Sequence, residues 1–499
     1  MKSFRSITDK LILFICMLYA LLFVYAAVSK LLDFENFRVQ LGQSPLLSAF
    51  AGFISVAVLL VEIVVALMLV HPKLRRLGLY AAFSLMAMFT AYIYIILNYS
   101  EFVPCSCGGI LEKMGWHEHL TFNIAFMIMA AVAIMLVPGR LVKIDLIYRS
   151  TAILVTWMLS TLIVVFLYVR SESTMQYHNN FTRRFIPLSA TKDKAYDLKF
   201  NSYYFAGAWK EKIYLGNHTA PLTVTVLDTA LKTKTAFRVL LDRKDLPFRS
   251  VKVSIAPPYF FVTDGTVPCI YRGNISDWKA RFRMQTPATF SLAQPLDSLH
   301  VALRAHLAGG QSIMALADIA GTGRITFNKE LLQKQKDGVF DTDGSLSFDE
   351  ENKMLVYVYR YRNQFIAADN KLKVLSRGNT IDTVSKAILK MADIESSGSR
   401  KFAAPPLIVN HTSAAKGGHL FVHASLPGQY ESLSMWKTAS IIDVYNTTGN
   451  RYQGSFYIYN EKGGKMKSFT VYGQHLFAFI GDQLVRYKLS AAFAGDSGT

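Results

Sequence analysis

At 499 residues the chain exceeds one ordinary domain, and 52% of it is apolar, which is high for a water-soluble protein. A formal charge of +19 raises nucleic acid as a partner. However, the excess divides into three short clusters beside apolar runs and a scatter over the C-terminal part without a basic run, so no nucleic-acid partner is expected.

Five apolar windows come first in chain order, at 11–28, 49–70, 77–97, 120–137 and 152–169. Each is close to the ~20 residues that a helix needs to cross ~30 Å of hydrocarbon. The first follows "MKSFRSITDK" and carries Ala26 and Ala27, features shared with secretory signals. No clear small-residue cleavage site precedes Lys30 and four more spans follow, so the window reads as a retained helix. Lys2, Arg5 and Lys10, then Lys73, Arg75 and Arg76, then Arg140, Lys143 and Arg149 all fall on one side of the five spans. Positive short loops favour the cytoplasm. The expected protein is therefore multi-pass, with a cytoplasmic N-terminus and a C-terminal domain on the exterior. In a bacterium this means the inner (cytoplasmic) membrane and the periplasm.

The exterior segment between the third and fourth windows reads "NYSEFVPCSCGGILEKMGWHEH" and holds two of the four cysteines. Oxidising compartments preserve disulfides. A bridge from Cys105 to Cys107 across one residue would be strained, hence exchangeable, and Gly108 and Gly109 supply the backbone freedom that so tight a turn needs. A redox-active, catalytic pair is the sharp reading; a fixed bridge or two packed thiols is the plain one. A third reading gathers Cys105, Cys107, His117 and His119 around zinc or copper, but their spacing fits no standard zinc pattern, and a metal is not favoured. Glu62 lies well inside the second window, where a carboxylate is costly. It is either a proton acceptor or quinone-side contact, or a neutral, hydrogen-bonded packing group. Cys16, mid-span, reads as a small buried hydrophobe.

The run "PCSCGGILEKMGWHEHLTFN", together with "YAAVSKLLDFENFRVQLGQSPLL" after the first window, resembles the MauE/DoxX-like membrane proteins, the family named for the methylamine utilisation protein MauE. The resemblance covers roughly residues 8–145. It implies a four-helix membrane domain, bounded here at 1–146, that serves periplasmic disulfide formation or maturation of a partner protein. Residues 147–175 then form a fifth span and linker outside the basic family pattern. On this reading Cys105 and Cys107 do the chemistry, and Glu62, Gly108, Gly109 and His119 support it. The electron partner is a quinone or a thioredoxin-like protein. The latter would have to be a separate chain, because the C-terminal domain has no CxxC.

Beyond Arg170 the pattern changes to short strands. Six segments share one form, an apolar strand, a small or polar turn and a second strand, and start at Tyr203, Tyr259, Ser312, Met354, His419 and His475. Their spacing is near that of a four-stranded propeller blade. The expected fold is thus multidomain, an all-α transmembrane bundle followed by an all-β domain over 176–499, a six-bladed β-propeller, with a pair of β-sandwiches as the runner-up. "FDTDGSLSFDEE" imitates a calcium loop, but aligning Gly344 and Glu350 puts Val339 at the first ligand position, so a hairpin into "MLVYVYRYR" is expected instead. Cys269 reads as a buried strand cysteine. No Ser-His-Asp order, phosphate-binding glycine loop or HExxH is present, which leaves a hydrolase unsupported. Two functions remain: a thiol–disulfide relay whose propeller recruits a client, or a non-catalytic envelope protein whose propeller binds another protein while the CxC braces a loop.

Overall fold

The computed structural model describes residues 2–32, 34, 37, 38, 41, 51–99, 115–137, 142–175, 180–321, 323–394 and 399–493. All five apolar windows are helical: α1 (Lys2–Leu32), α2 (Ala51–Val70), α3 (Arg75–Tyr99), α4 (Trp116–Leu136) and α5 (Val142–Met175). Among the described residues these five are long and apolar enough to cross a membrane. The chain divides into two units, residues 1–176 with 389–406, and residues 177–388 with 407–499.

The bundle core is built from one face of each of the first four helices. Tyr19 and Phe23 of α1, Val65 and Leu69 of α2, Leu79, Phe83 and Met86 of α3, and Ala130, Ala133 and Ile134 of α4 are buried together. Gly78 allows α3 to turn back closely on α2, since a Cβ there would lie 3.0 Å from the Leu69 nitrogen. Helix α5 packs on α3, where the Ser84 and Ser160 hydroxyls bond at 2.8 Å. Most of α5 stays uncovered: Leu154, Trp157, Met158, Leu162, Ile163 and Phe166 are all exposed. Such an apolar surface on a helix of this length is suited to lipid rather than water. Arg149 is buried at the foot of α5, and its guanidinium donates to the carbonyls of Ile134 at 3.3 Å and Met135 at 3.1 Å, closing the C-terminal end of α4.

The β-domain is a six-bladed propeller. Blades occupy 203–238, 251–285, 290–328, 344–379 and 410–459, each a four-stranded antiparallel meander, with the short strand Leu240–Leu241 added in parallel to the second. The sixth blade takes three strands from 466–489 and its outermost strand, Ala190–Asp197, from the start of the domain. The innermost strands, Tyr203–Trp209, Val251–Ala256, Phe290–Pro295, Gly344–Asp349, Asn410–Lys416 and Met466–Tyr472, touch in succession, and the last touches the first. This closed ring excludes the pair of sandwiches.

Burial explains why the blades read as continuous apolar runs. In Met354–Tyr359, Met354, Val356 and Val358 enter the interface with the fifth blade, while Leu355, Tyr357 and Tyr359 enter the interface with the third. Alternate side chains thus point to opposite sides, and both sides are core. The calcium-like stretch is the expected hairpin: Gly344–Asp349 pairs antiparallel with Met354–Tyr359. Asp341 accepts from the backbone nitrogens of Gln335 at 2.5 Å and Gly338 at 2.8 Å, so its oxygens are already committed. Cys269 is buried in its strand, and burial pushes its thiol up to about 11, a poor nucleophile near neutral pH.

Candidate functional site in the helix bundle

Inside the helical unit is a cavity of about 340 Å³. Its walls are apolar and aromatic, including Phe37, Phe89, Tyr92, Trp116 and Phe122. The polar side chains on its wall include Lys30 from the end of α1, Glu62 from the middle of α2, and His119 and Asn123 from the first two turns of α4.

Lys30 and Glu62 form an ion pair that is nearly closed to solvent, with the Lys30 side chain 13% and the Glu62 side chain 1% exposed. The Lys30 ammonium also lies 5.6 Å from the centre of the Phe37 ring and 5.9 Å from that of Phe89, within reach of cation–π attraction. Lys30 is thus the partner of the Glu62 carboxyl group. Pairing offsets only part of the cost of burying two charges. The set is also incomplete: among the described residues, Glu62 Oε2, His119 Nδ1 and Asn123 Nδ2 are buried and have no hydrogen-bond partner. Three such atoms on one cavity are unusual, since buried polar groups are ordinarily satisfied.

The cavity sits at one end of the bundle. Tyr92 and Ile93 belong to the last two turns of α3, and Trp116 and His119 to the first turn of α4. The chain between these helices, 100–114, carries Cys105, Cys107, Gly108 and Gly109, all outside the described residues. Just beyond it α4 opens with Glu118 accepting from the Gly115 nitrogen at 2.9 Å.

The structure thus brings together two of the expected supporting residues, Glu62 and His119. It does not bring His117 to them. On a helix, residues two apart project about 200° from one another, and His117 is exposed while His119 lines the cavity. The two imidazoles do not converge as a metal site would require, and no group of three His, Cys, Asp or Glu side chains suited to a metal occurs among the described residues. Lys30 and Asn123 escaped the sequence reading. An asparagine inside an apolar window was the available signal for Asn123, and a lysine at the last turn of a span was that for Lys30.

The propeller has a separate polar pocket of about 520 Å³ between its second and third blades, lined by Ser250, Lys252, Ser254, Thr266, Ser291 and His306 among others. Burial and the nearby Arg304 hold the His306 imidazole below its ordinary range, and its Nδ1 lies 3.1 Å from the Ser312 hydroxyl.

Residues 8–136 match the family described as methylamine utilisation protein MauE. No curated protein matches the chain significantly. Among solved structures it is similar to a member of the DUF4221 family from Bacteroides vulgatus (14% identity over 63% of this chain and 99% of that one, TM-score 0.40). It is also similar to a chain of a nidogen/laminin complex (10% identity, 51% and 79%, TM-score 0.33) and to the Cps50 (Swd1) β-propeller domain of Myceliophteria thermophila (9% identity, 58% and 97%, TM-score 0.34).

Proposed function

We propose that this MauE-family membrane domain, joined to its propeller, is a thiol–disulfide exchange component of the bacterial inner membrane, with its N-terminus in the cytoplasm and its propeller in the periplasm. Cys105 and Cys107 exchange with a client: the Cys105–Cys107 disulfide accepts two electrons from a client dithiol, becomes a dithiol, and leaves the client with the disulfide. The propeller recruits that client, and the hydroxyl-rich pocket beside Lys252 and His306 is the candidate surface for it.

The observation that carries the reading is the convergence of three unpartnered buried polar atoms, from Glu62, His119 and Asn123, at the end of the bundle where the Cys105–Cys107 segment is attached. A loop brace has no use for unpartnered polar atoms among the helices that the segment joins. The match to the MauE family over 8–136 includes both cysteines and the helices that carry Lys30, Glu62, His119 and Asn123.

Single serine variants test the exchange. In a mixed disulfide, removal of the resolving thiol traps the partner on the attacking one. Pro104 fixes its own φ immediately before Cys105, whereas Gly108 and Gly109 after Cys107 are the most permissive residues of the segment, which favours Cys107 as the resolving thiol. Cys107→Ser should therefore accumulate a covalent partner on a non-reducing gel, and Cys105→Ser should not. Equal trapping by both variants would overturn the assignment of the attacking thiol. Absence of any adduct in cells that contain the client, with the pair always oxidised, would leave the CxC as a brace.

A further inference from the structure

We infer that the bundle cavity is a binding site for a membrane-dissolved quinone, the two-electron acceptor for the Cys105–Cys107 pair. The inference rests on the thiol-exchange reading for its redox role, but the binding site stands on geometry alone.

The occupant has to be flat, aromatic and lipid-soluble, because the walls come from membrane-spanning helices and include the rings of Phe37, Phe89, Tyr92, Trp116 and Phe122. A volume of about 340 Å³ is at the lower end of the range for small-molecule sites, enough for a ring with its tail leaving between helices. Its head must also offer both hydrogen-bond acceptors and donors. The Lys30 ammonium and the Asn123 amide Nδ2 are donors, and only the first has an acceptor among the described residues, Glu62 Oε1. Glu62 Oε2 is an acceptor without a donor, and His119 Nδ1 is one too in the tautomer protonated on Nε2. Two donors match the two ring carbonyls of a quinone. Two acceptors match the two hydroxyls of the hydroquinone. A lipid phosphate or carboxylate fits less well, because it would set a second anion beside the Glu62 carboxylate in a medium of low dielectric.

Coupling to the thiols balances. When the Cys105–Cys107 pair is reoxidised, two S–H bonds break and one S–S bond forms. The two electrons pass to the quinone ring, and two protons end on its oxygens as O–H bonds. Cys107 precedes Trp116 on the cavity wall by nine residues, a tether that spans at most about 32 Å when fully extended.

The test uses the full-length protein in nanodiscs and a short-tailed ubiquinone as probe, with binding measured by calorimetry on the oxidised protein. Binding by that form needs no thiol turnover, so it is independent of whether the relay exists. We expect saturable binding, weakened about tenfold or more by Asn123→Leu and by Glu62→Gln, because each removes a group that the ring oxygens would satisfy. Ala57→Phe, which fills the cavity without touching its polar groups, should abolish binding, and melting curves identify any variant that fails to fold. Absence of binding, or equal affinity in folded Asn123→Leu, Glu62→Gln and Ala57→Phe proteins, would overturn the site whatever the thiol traps show. Displacement of the probe by an anionic phospholipid, but not by a second quinone, would also overturn it in favour of a lipid. If binding holds but reduced protein produces no hydroquinone, the thiol relay fails and the quinone site remains.

Discussion

The bundle and the propeller both bury charged side chains, but they complete them differently. In the propeller Arg183 donates to Asp443 through Nε at 2.7 Å, to both oxygens of Glu431 at 2.9 Å and to the Leu426 carbonyl at 3.0 Å, with the rings of Phe181 and Trp436 on its guanidinium. The carboxylates there hold its pKa well above the ordinary arginine range. Asp264 likewise accepts from four backbone nitrogens, those of Arg249, Ser250, Thr266 and Val267. These bonds hold its carboxyl below the usual range despite burial. Unpartnered buried atoms occur in the propeller too, grouped at Arg362 and Asn363 in the fourth blade and at Thr412, His423 and Ser425 in the fifth. In the bundle, three such atoms meet at one cavity. The Arg183 and Asp264 charges of the propeller are completed by their partners, whereas the bundle cavity keeps polar atoms that have none among the described residues.

The largest effect that would sharpen this contrast comes from ring closure, because the propeller depends on joining its two ends and the bundle does not. The strand Ala190–Asp197 is the outer strand of a blade otherwise built from 466–489. A domain from 177 to 499, exported without the helices, should fold as a soluble β-rich monomer with one cooperative melt. Deletion from His475 onward, or of 190–197, should remove that transition, since either opens the ring and exposes paired edges. A deletion that melts like the intact domain would break the closure argument.

Next in size is a comparison of two charge removals. Arg183→Met leaves Asp443 and Glu431 buried and uncompensated, and should cost the propeller about 3–5 kcal/mol. Replacing the bundle pair together, Lys30→Met with Glu62→Leu, removes both charges and should leave the helices at least as stable, since an apolar pair of similar volume is often neutral or stabilising by about 1–4 kcal/mol. Helical circular dichroism follows the bundle and near-ultraviolet signals follow the propeller. If the double replacement melts the bundle early, the Lys30–Glu62 pair is structural, and the contrast between the two regions disappears.

Much of this was legible in the sequence, for reasons that differ by region. The spans were readable because composition over some twenty residues is enough to define a membrane helix. The inner strands of the blades were readable because both of their faces are core, which gives runs such as "MLVYVY". The closing strand was not readable. It reads "ATKDKAYD", lies at a blade edge and is largely exposed, so it lacks the apolar signal of a strand. Glu62 stood out as a charge inside a span, but its pairing with Lys30 is set by how α1 and α2 pack, which no local pattern encodes. Arg183 was hidden for the same reason: within "TRRFIPL" nothing distinguishes it from Arg184, and its carboxylate partners lie 248 and 260 residues further on.

The smallest expected effect concerns Asp382, beside the Arg183 cluster, and it tests whether every propeller carboxylate is as well completed as Asp264. Burial pushes the Asp382 carboxyl up to about 6, even though the Thr380 hydroxyl donates to it at 2.6 Å and the Val384 nitrogen at 3.0 Å. The nearby Asp443 adds to the upward shift. The folded value therefore lies above the unfolded value of about 3.9, and the folded state holds the proton more tightly. Stability from this group is fully present below about pH 4 and is lost as pH rises to about 6. Asp382→Asn keeps an acceptor for the Val384 nitrogen and cannot ionise. It should raise the melting temperature of the propeller near pH 7.5, by at most about 3 kcal/mol of stability, and change it little near pH 4. The opposite sign holds for Asp264, whose depressed value gives stability that is lost as the pH falls, so Asp264→Asn should be most damaging at neutral pH. A gain for Asp382→Asn that is equal at both pH values would mean that the side chain matters for packing and not for charge, and an absence of gain at pH 7.5 would place its carboxylate among the completed ones.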